Sequence, residues 1–124
     1  MKIKLNHLSV SIEGDYYQVL FEEKEDTGSA EITDDPYFLM QRQFEMYDGG
    51  EIYIESHDEN YIGHFLVKSV VLKKNSFELE LNKTEYSRIE VNFKAEEKDF
   101  NELQNAIKDM ILEDKLKIIT NQLT

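Results

Sequence analysis

The 124 residues contain no cysteine. That excludes a disulfide framework and thiolate chemistry. There is one proline, Pro36, and the five glycines at 14, 28, 49, 50 and 63 match neither a phosphate-binding loop nor a dinucleotide fingerprint. No Gly-x-Ser-x-Gly nucleophile elbow occurs. No apolar run approaches the roughly 18 residues of a membrane span. The opening "MKIKLNHLSV" has neither the apolar stretch nor the small-residue cleavage site of a signal peptide. A soluble, cytoplasmic protein is the expectation. Bases are scarce: 14 Lys and Arg stand against 26 Asp and Glu, for a formal charge of −12. Phosphate backbones are held by clustered Lys and Arg, so nucleic acid is not the expected partner.

The acidic excess is uneven. Residues 13–59 hold 15 acids and two bases, Lys24 and Arg42, and sum to −13. Residues 1–12 contribute +2 and residues 60–124 contribute −1. One reading is solubility. The other is attraction of a basic partner, which speeds association more than it adds affinity.

Alternation of period two runs through the first three quarters of the chain. Ile3 and Leu5 share one face of a first strand, and Leu8, Val10 and Ile12 continue it after a one-residue slip near Asn6 and His7. A β-bulge is the expected cause. Further strands are expected at about 16–21, 37–46, 51–56, 61–72, 76–81 and 88–93. Turns are expected at 13–15, 47–50 and 73–75, with a long polar loop at 22–36. The period then changes. Phe100, Leu103, Ile107, Met110 and Ile111 follow helical spacing, and Asp99 with Glu102 fits a capping box, so a helix is expected at about 97–113. Residues 114–124 extend the helix or add a strand. The sum is one α+β domain over residues 1–124: a curved antiparallel meander of about seven strands, its concave face covered by the C-terminal amphipathic helix.

Catalytic signals are weak. His57, Asp58 and His64 match no standard zinc spacing, and surface histidines near a turn explain them better. No metal and no cofactor is expected. With 26 acids, a pair of carboxylates at catalytic separation arises by chance. The informative stretch is "YFLMQRQFEMYDGG" at 37–50. Alternation puts Arg42 with Phe38, Met40, Phe44 and Met46, and puts Gln41 and Gln43 with Tyr37, Leu39 and Glu45. If the aromatic face is the core, Arg42 must be paired, with Glu55 the first partner considered. Otherwise it lies at a rim, where its planar fork grips a partner's carboxylate. Tyr47, Tyr53 and Tyr61 sit among Asp48, Glu51, Glu55, Asp58 and Glu59. Tyrosine is favoured in interfaces, and it also covers sheet edges.

The stretch "DPYFLMQRQFEMYDGGEIYIESHDENYIGH" resembles bacterial immunity proteins of polymorphic toxin systems, in particular the immunity protein 10 family. The similar parts are the hydrophobic-Gln-Arg strand "YFLMQRQFE", the Tyr-x-Glu strand in "IYIESHDENYIGH" and the helix-closed ending "RIEVNFKAEEKDFNELQNAI". The likeness covers most of residues 36–112. Gln41 and Arg42 are the positions it carries over. It implies a non-enzymatic protein that binds and neutralises a toxin, one basic where it meets phosphate. Asp48, Glu51, Tyr53, Glu55, Asp58, Glu59 and Tyr61 are then the candidate contacts. Two alternatives compete: a small-ligand domain with a cup between sheet and helix lined by Arg42, Gln41 and Gln43, and an enzyme using carboxylates. Exposed sheet edges leave a homodimer open as well.

Overall fold

The computed structural model describes residues 1–14, 16–23, 36–43 and 51–119, and only the backbone of Glu13 and Gln43. The expected hairpin turn at 47–50, most of the expected polar loop, and Phe44, Met46, Tyr47 and Asp48 lie outside the described residues. Within them the strands are β1 Lys2–Lys4, β2 His7–Glu13, β3 Tyr16–Glu22, β4 Tyr37–Gln43, β5 Glu51–Ser56, β6 Gly63–Lys73, β7 Ser76–Leu81, β8 Arg88–Asn92 and β9 Leu116–Ile119. Helix α1, Glu97–Met110, lies between β8 and β9. The α+β class agrees with expectation. The strands number nine rather than about seven, and the sheet is mixed: β1 runs parallel to β8, and β9 runs parallel to β6.

The hydrogen-bonded order is β1-β8-β7-β6-β5-β4-β3-β2, with β9 on β6. Strands β1 and β2, at opposite ends of that order, are joined by Leu5 and Asn6 alone. Three Cα steps of about 3.8 Å span at most ~11 Å. The sheet therefore rolls until its two ends come close together. The slip in alternation near Asn6 is not a bulge. It marks the place where the chain leaves one end of the sheet and enters the other, and Leu5, fully buried, still donates its N–H to the Asn92 carbonyl at 2.8 Å.

The aromatic core shows the same closure. Phe21 on β3 and Phe77 on β7 have ring centroids 6.0 Å apart, and Phe21 lies 5.3 Å from Phe93. Four strand spacings separate β3 from β7, which is about 19 Å across a flat sheet. Only a folded sheet brings those rings into contact. Strand β6 carries the fold. Its first residues, 63–66, pair with β5 and its last, 70–73, pair with β9, while β7 runs along its other side with a register shift between Val67 and Ser69. Extra residues at such shifts bend a strand and increase its twist. The strand begins at Gly63 rather than Tyr61, which closes a 3-10 turn, Glu59–Tyr61, capped by the Asp58 side chain.

Phe100, Leu103, Ala106, Ile107 and Met110 form the buried stripe of α1 and join one continuous core with the inward residues of the sheet. The helix lies beside β2 and β3. It ends at Met110 rather than 113, and its N-cap is Glu96, whose side chain makes no capping bond, so the Asp99–Glu102 box does not form. Glu97 and Asp99 instead place negative charge in the first turn, where the helix dipole favours it. The chain after α1 turns through Glu113–Lys115 and adds β9, which settles the 114–119 part of the tail as turn and strand. No helix among the described residues is long and apolar enough to cross a membrane.

Candidate partner-binding face

Registers fix which side chains meet. On β2 to β5 the inward rows are Val10–Val19–Met40–Ile54 and Leu8–Phe21–Phe38–Ser56. The outward rows are Ser11–Gln18–Gln41–Tyr53–His64 and Ser9–Leu20–Leu39–Glu55, flanked by His7–Glu22–Tyr37. Most of these outward side chains on β3 to β5 are half-buried. The outer face of β3 to β5 and the start of β6 thus carries Tyr16, Gln18, Leu20, Tyr37, Leu39, Gln41, Tyr53 and Glu55, and no Lys or Arg among the described residues.

The polar groups of this face are ordered against one another. The Tyr37 hydroxyl donates to one oxygen of Glu55 at 3.0 Å, and the Tyr53 hydroxyl donates to the other at 2.9 Å. Gln41 Nε2 donates to Gln18 Oε1 at 2.7 Å. The His64 ring lies 5.2 Å from that of Tyr53, and the His57 ring 6.4 Å from that of Tyr37. The Glu55 bond is the main cause that raises the Tyr53 phenol above its ordinary pKa. For Tyr37 burial is the larger cause and Glu55 the second.

The far half of the sheet is different. There the outer face carries Lys2, Lys68, Glu78, Glu80, Arg88 and Glu90, with ion pairs Lys2–Glu90 at 3.5 Å and Lys68–Glu80 at 3.9 Å. Mixed charges of this kind are what a solvated surface carries. The two halves of one sheet thus present opposite surface chemistries.

Arg42 does not pair with Glu55. Glu55 stands opposite Leu39 on the outer face, whereas Arg42 stands opposite Tyr17 on the inner one. The half-buried Arg42 donates from Nη1 to the Met110 carbonyl, the last residue of α1. A cation there satisfies an end carbonyl and sits at the negative end of the helix dipole. The arginine in an apolar strand is therefore explained by the helix it holds. Nearby, Tyr17 bonds to Asp109 on α1, and that bond raises its phenol. Two inward residues of β3 and β4 thus reach the C-terminal turn of α1.

Gln41 leaves the strand on the face opposite to Arg42, so those two side chains do not line one cup. A groove of about 390 Å³ between β2 and α1 is lined instead by Val10, Ser11, Ile12, Tyr17, Glu102, Asn105, Ala106 and Asp109. Tyr61, a candidate contact by sequence, is buried in the core, and Asp58 is engaged at the 3-10 turn, accepting from the Asn60 N–H at 3.0 Å. Glu51, Tyr53 and Glu55 share the outer face, and Glu59 is exposed at the turn beyond Ser56. Asp48 and the Gln43 side chain lie outside the described residues. No group of three metal-ligating side chains occurs among the described residues; His64 stands beside Tyr53 in the sheet, while His57 follows the end of β5.

Sequence reasoning missed Gln18, Leu20 and His64 as members of this face. Alternation had already grouped Tyr37 and Leu39 with Gln41. What joined β3 and β6 to that group was pairing register, which a single strand's pattern does not contain. No family model, no curated protein and no solved structure matches the chain. The resemblance to immunity proteins stays an expectation from the residues quoted above.

Proposed function

We propose that this chain is a non-catalytic immunity-type protein that binds and neutralises a protein toxin through the outer face of β3 to β5 and the start of β6. The observation that carries the reading is the composition of that face: tyrosine, glutamine, leucine and glutamate in register, with no Lys or Arg among the described residues. Tyrosine gives a large contact area with a polar tip, and cores of interfaces are depleted in Lys. The salt-bridged far half of the same sheet supplies the contrast.

Charge supports the same reading. Glu22, Glu51 and Glu55 lie on this face, and the chain between Glu23 and Pro36 carries five acids and one lysine. Such a field steers a basic partner toward the face and falls off with salt. A toxin that cuts or modifies nucleic acid is basic where it holds phosphate, so an acidic inhibitor covers that site by standing in for the substrate's charge. The resemblance to immunity proteins adds the class of partner. Binding is proposed without covalent chemistry, cofactor or metal, in the cytoplasm.

The test is co-expression with the toxin domain encoded beside this chain's gene. Growth restored by the intact chain, together with a complex on size-exclusion chromatography, is the expected result. Toxicity undiminished at excess chain, with no complex, overturns the proposal.

A further inference from the structure

We infer that Glu55, walled by Tyr37 and Tyr53, is the seat for one arginine side chain of the protein partner. This rests on the reading of the outer face as a contact surface and names the group that docks there. Glu55 is half-buried, and it takes no part in the ion pairs Lys2–Glu90 and Lys68–Glu80 seen among the described residues. Among the described residues, the acidic side chains that share this outer face with it are Glu22 and Glu51. Its side-chain hydrogen-bond partners are two neutral phenols, so a cation from a partner would add a charge pairing that these contacts do not supply.

The carboxylate is also held in place. Tyr37 and Tyr53 each donate to a different oxygen, at 3.0 and 2.9 Å, which fixes its plane before any partner arrives. An ionised carboxylate accepts about four hydrogen bonds, so two tyrosine donors leave an acceptor site on each oxygen. Two parallel N–H groups of a guanidinium fit such a pair. The hydroxyl bonds also bring the rings of Tyr37 and Tyr53 beside the carboxylate, and aromatic rings attract a planar cation. Leu39, directly opposite Glu55, and Leu20 beyond it give an apolar margin that strengthens the charge interaction. Lysine supplies one point charge and no parallel pair, so the geometry selects arginine.

The probe is N-acetyl-arginine amide, titrated into the intact chain and followed by NMR of the tyrosine and histidine rings. Shifts centred on Tyr37, Tyr53 and His64, about tenfold weaker with N-acetyl-lysine amide and lost in a folded Glu55→Gln variant, support the seat. Shifts that persist in Glu55→Gln, or that spread evenly over the acidic residues, overturn it. The outcome stands apart from the co-expression test. Neutralisation of the toxin without an arginine seat removes this inference alone, and an arginine seat without neutralisation removes the immunity reading alone.

Discussion

Replacing Arg42 by methionine keeps the aliphatic stem and removes the guanidinium that holds the end of α1. The loss includes a charge-assisted hydrogen bond to the Met110 carbonyl and a favourable placement at the helix C-terminus. A hydrogen bond to a charged group contributes about 1.5–3 kcal/mol and the dipole about 0.3–1 kcal/mol. Arg42 is half-buried, so water screens part of both. The lower part of the range applies, and a loss of about 1.5–2.5 kcal/mol is expected. For a chain of this size that lowers Tm by about 4–10 °C. Urea unfolding of both proteins, with the m-value held constant, reads the difference. The Ile111 amide, which donates to the Ile107 carbonyl at 2.9 Å in the last turn, exchanges faster in the variant. A loss below about 0.5 kcal/mol refutes the helix-holding role, since a bond that matters leaves a larger mark.

Three further outcomes follow from the geometry. Phe21→Ala costs about 3–5 kcal/mol as a large core deletion, and its cycle with Phe77→Ala shows a coupling of about 0.5–3 kcal/mol, since the rings touch across the folded sheet; additive effects in denaturant melts contradict the closure. Glu55→Gln moves the Tyr53 phenol down toward its ordinary range, read by the absorbance of tyrosinate; an unmoved titration shows that the bond is not made. The raised phenols of Tyr37 and Tyr53 bind their protons more tightly in the folded state, so their stabilisation is complete below the ordinary tyrosine range and is lost as pH rises through the shifted values, on the alkaline side only; a pH-stability curve in which Tyr53→Phe changes the acid limb instead has the wrong sign.

Much of the fold is legible in the chain because period-two alternation and the change to helical spacing are local properties. Leu79 and Glu80, or Leu103 and Ile107, declare their faces without reference to anything distant. The rolling of the sheet is not local. It depends on Leu5 joining β8 while His7, two residues on, joins β3, and nothing between them marks the division except a slip that a bulge explains as well. Strand β9 is four residues long and half-buried, too short for a period to be read. At the candidate face, Tyr53 and Glu55 were legible from the tyrosine-and-acid composition of their strand. Arg42 was legible as an anomaly, while its partner was not, because a backbone carbonyl 68 residues away leaves no trace in composition. Tyr61 was misplaced for the reverse reason. A 3-10 turn rotates it out of the strand's alternation and into the core.

The proposed contact face is tested most directly by the affinity, for two pairs of surface variants, of the proposed toxin partner sought beside this chain's gene. Tyr53→Ala with Glu55→Ala removes its centre, and Glu78→Ala with Glu80→Ala alters the salt-bridged half of the sheet. Removing a hot spot costs 2 kcal/mol or more, so the first pair is expected to raise Kd at least about 30-fold. The second pair should leave Kd within about threefold, as mutations outside a contact do. Equal losses from both pairs, or a larger loss from the second, contradict the assignment of the contact to β3–β6.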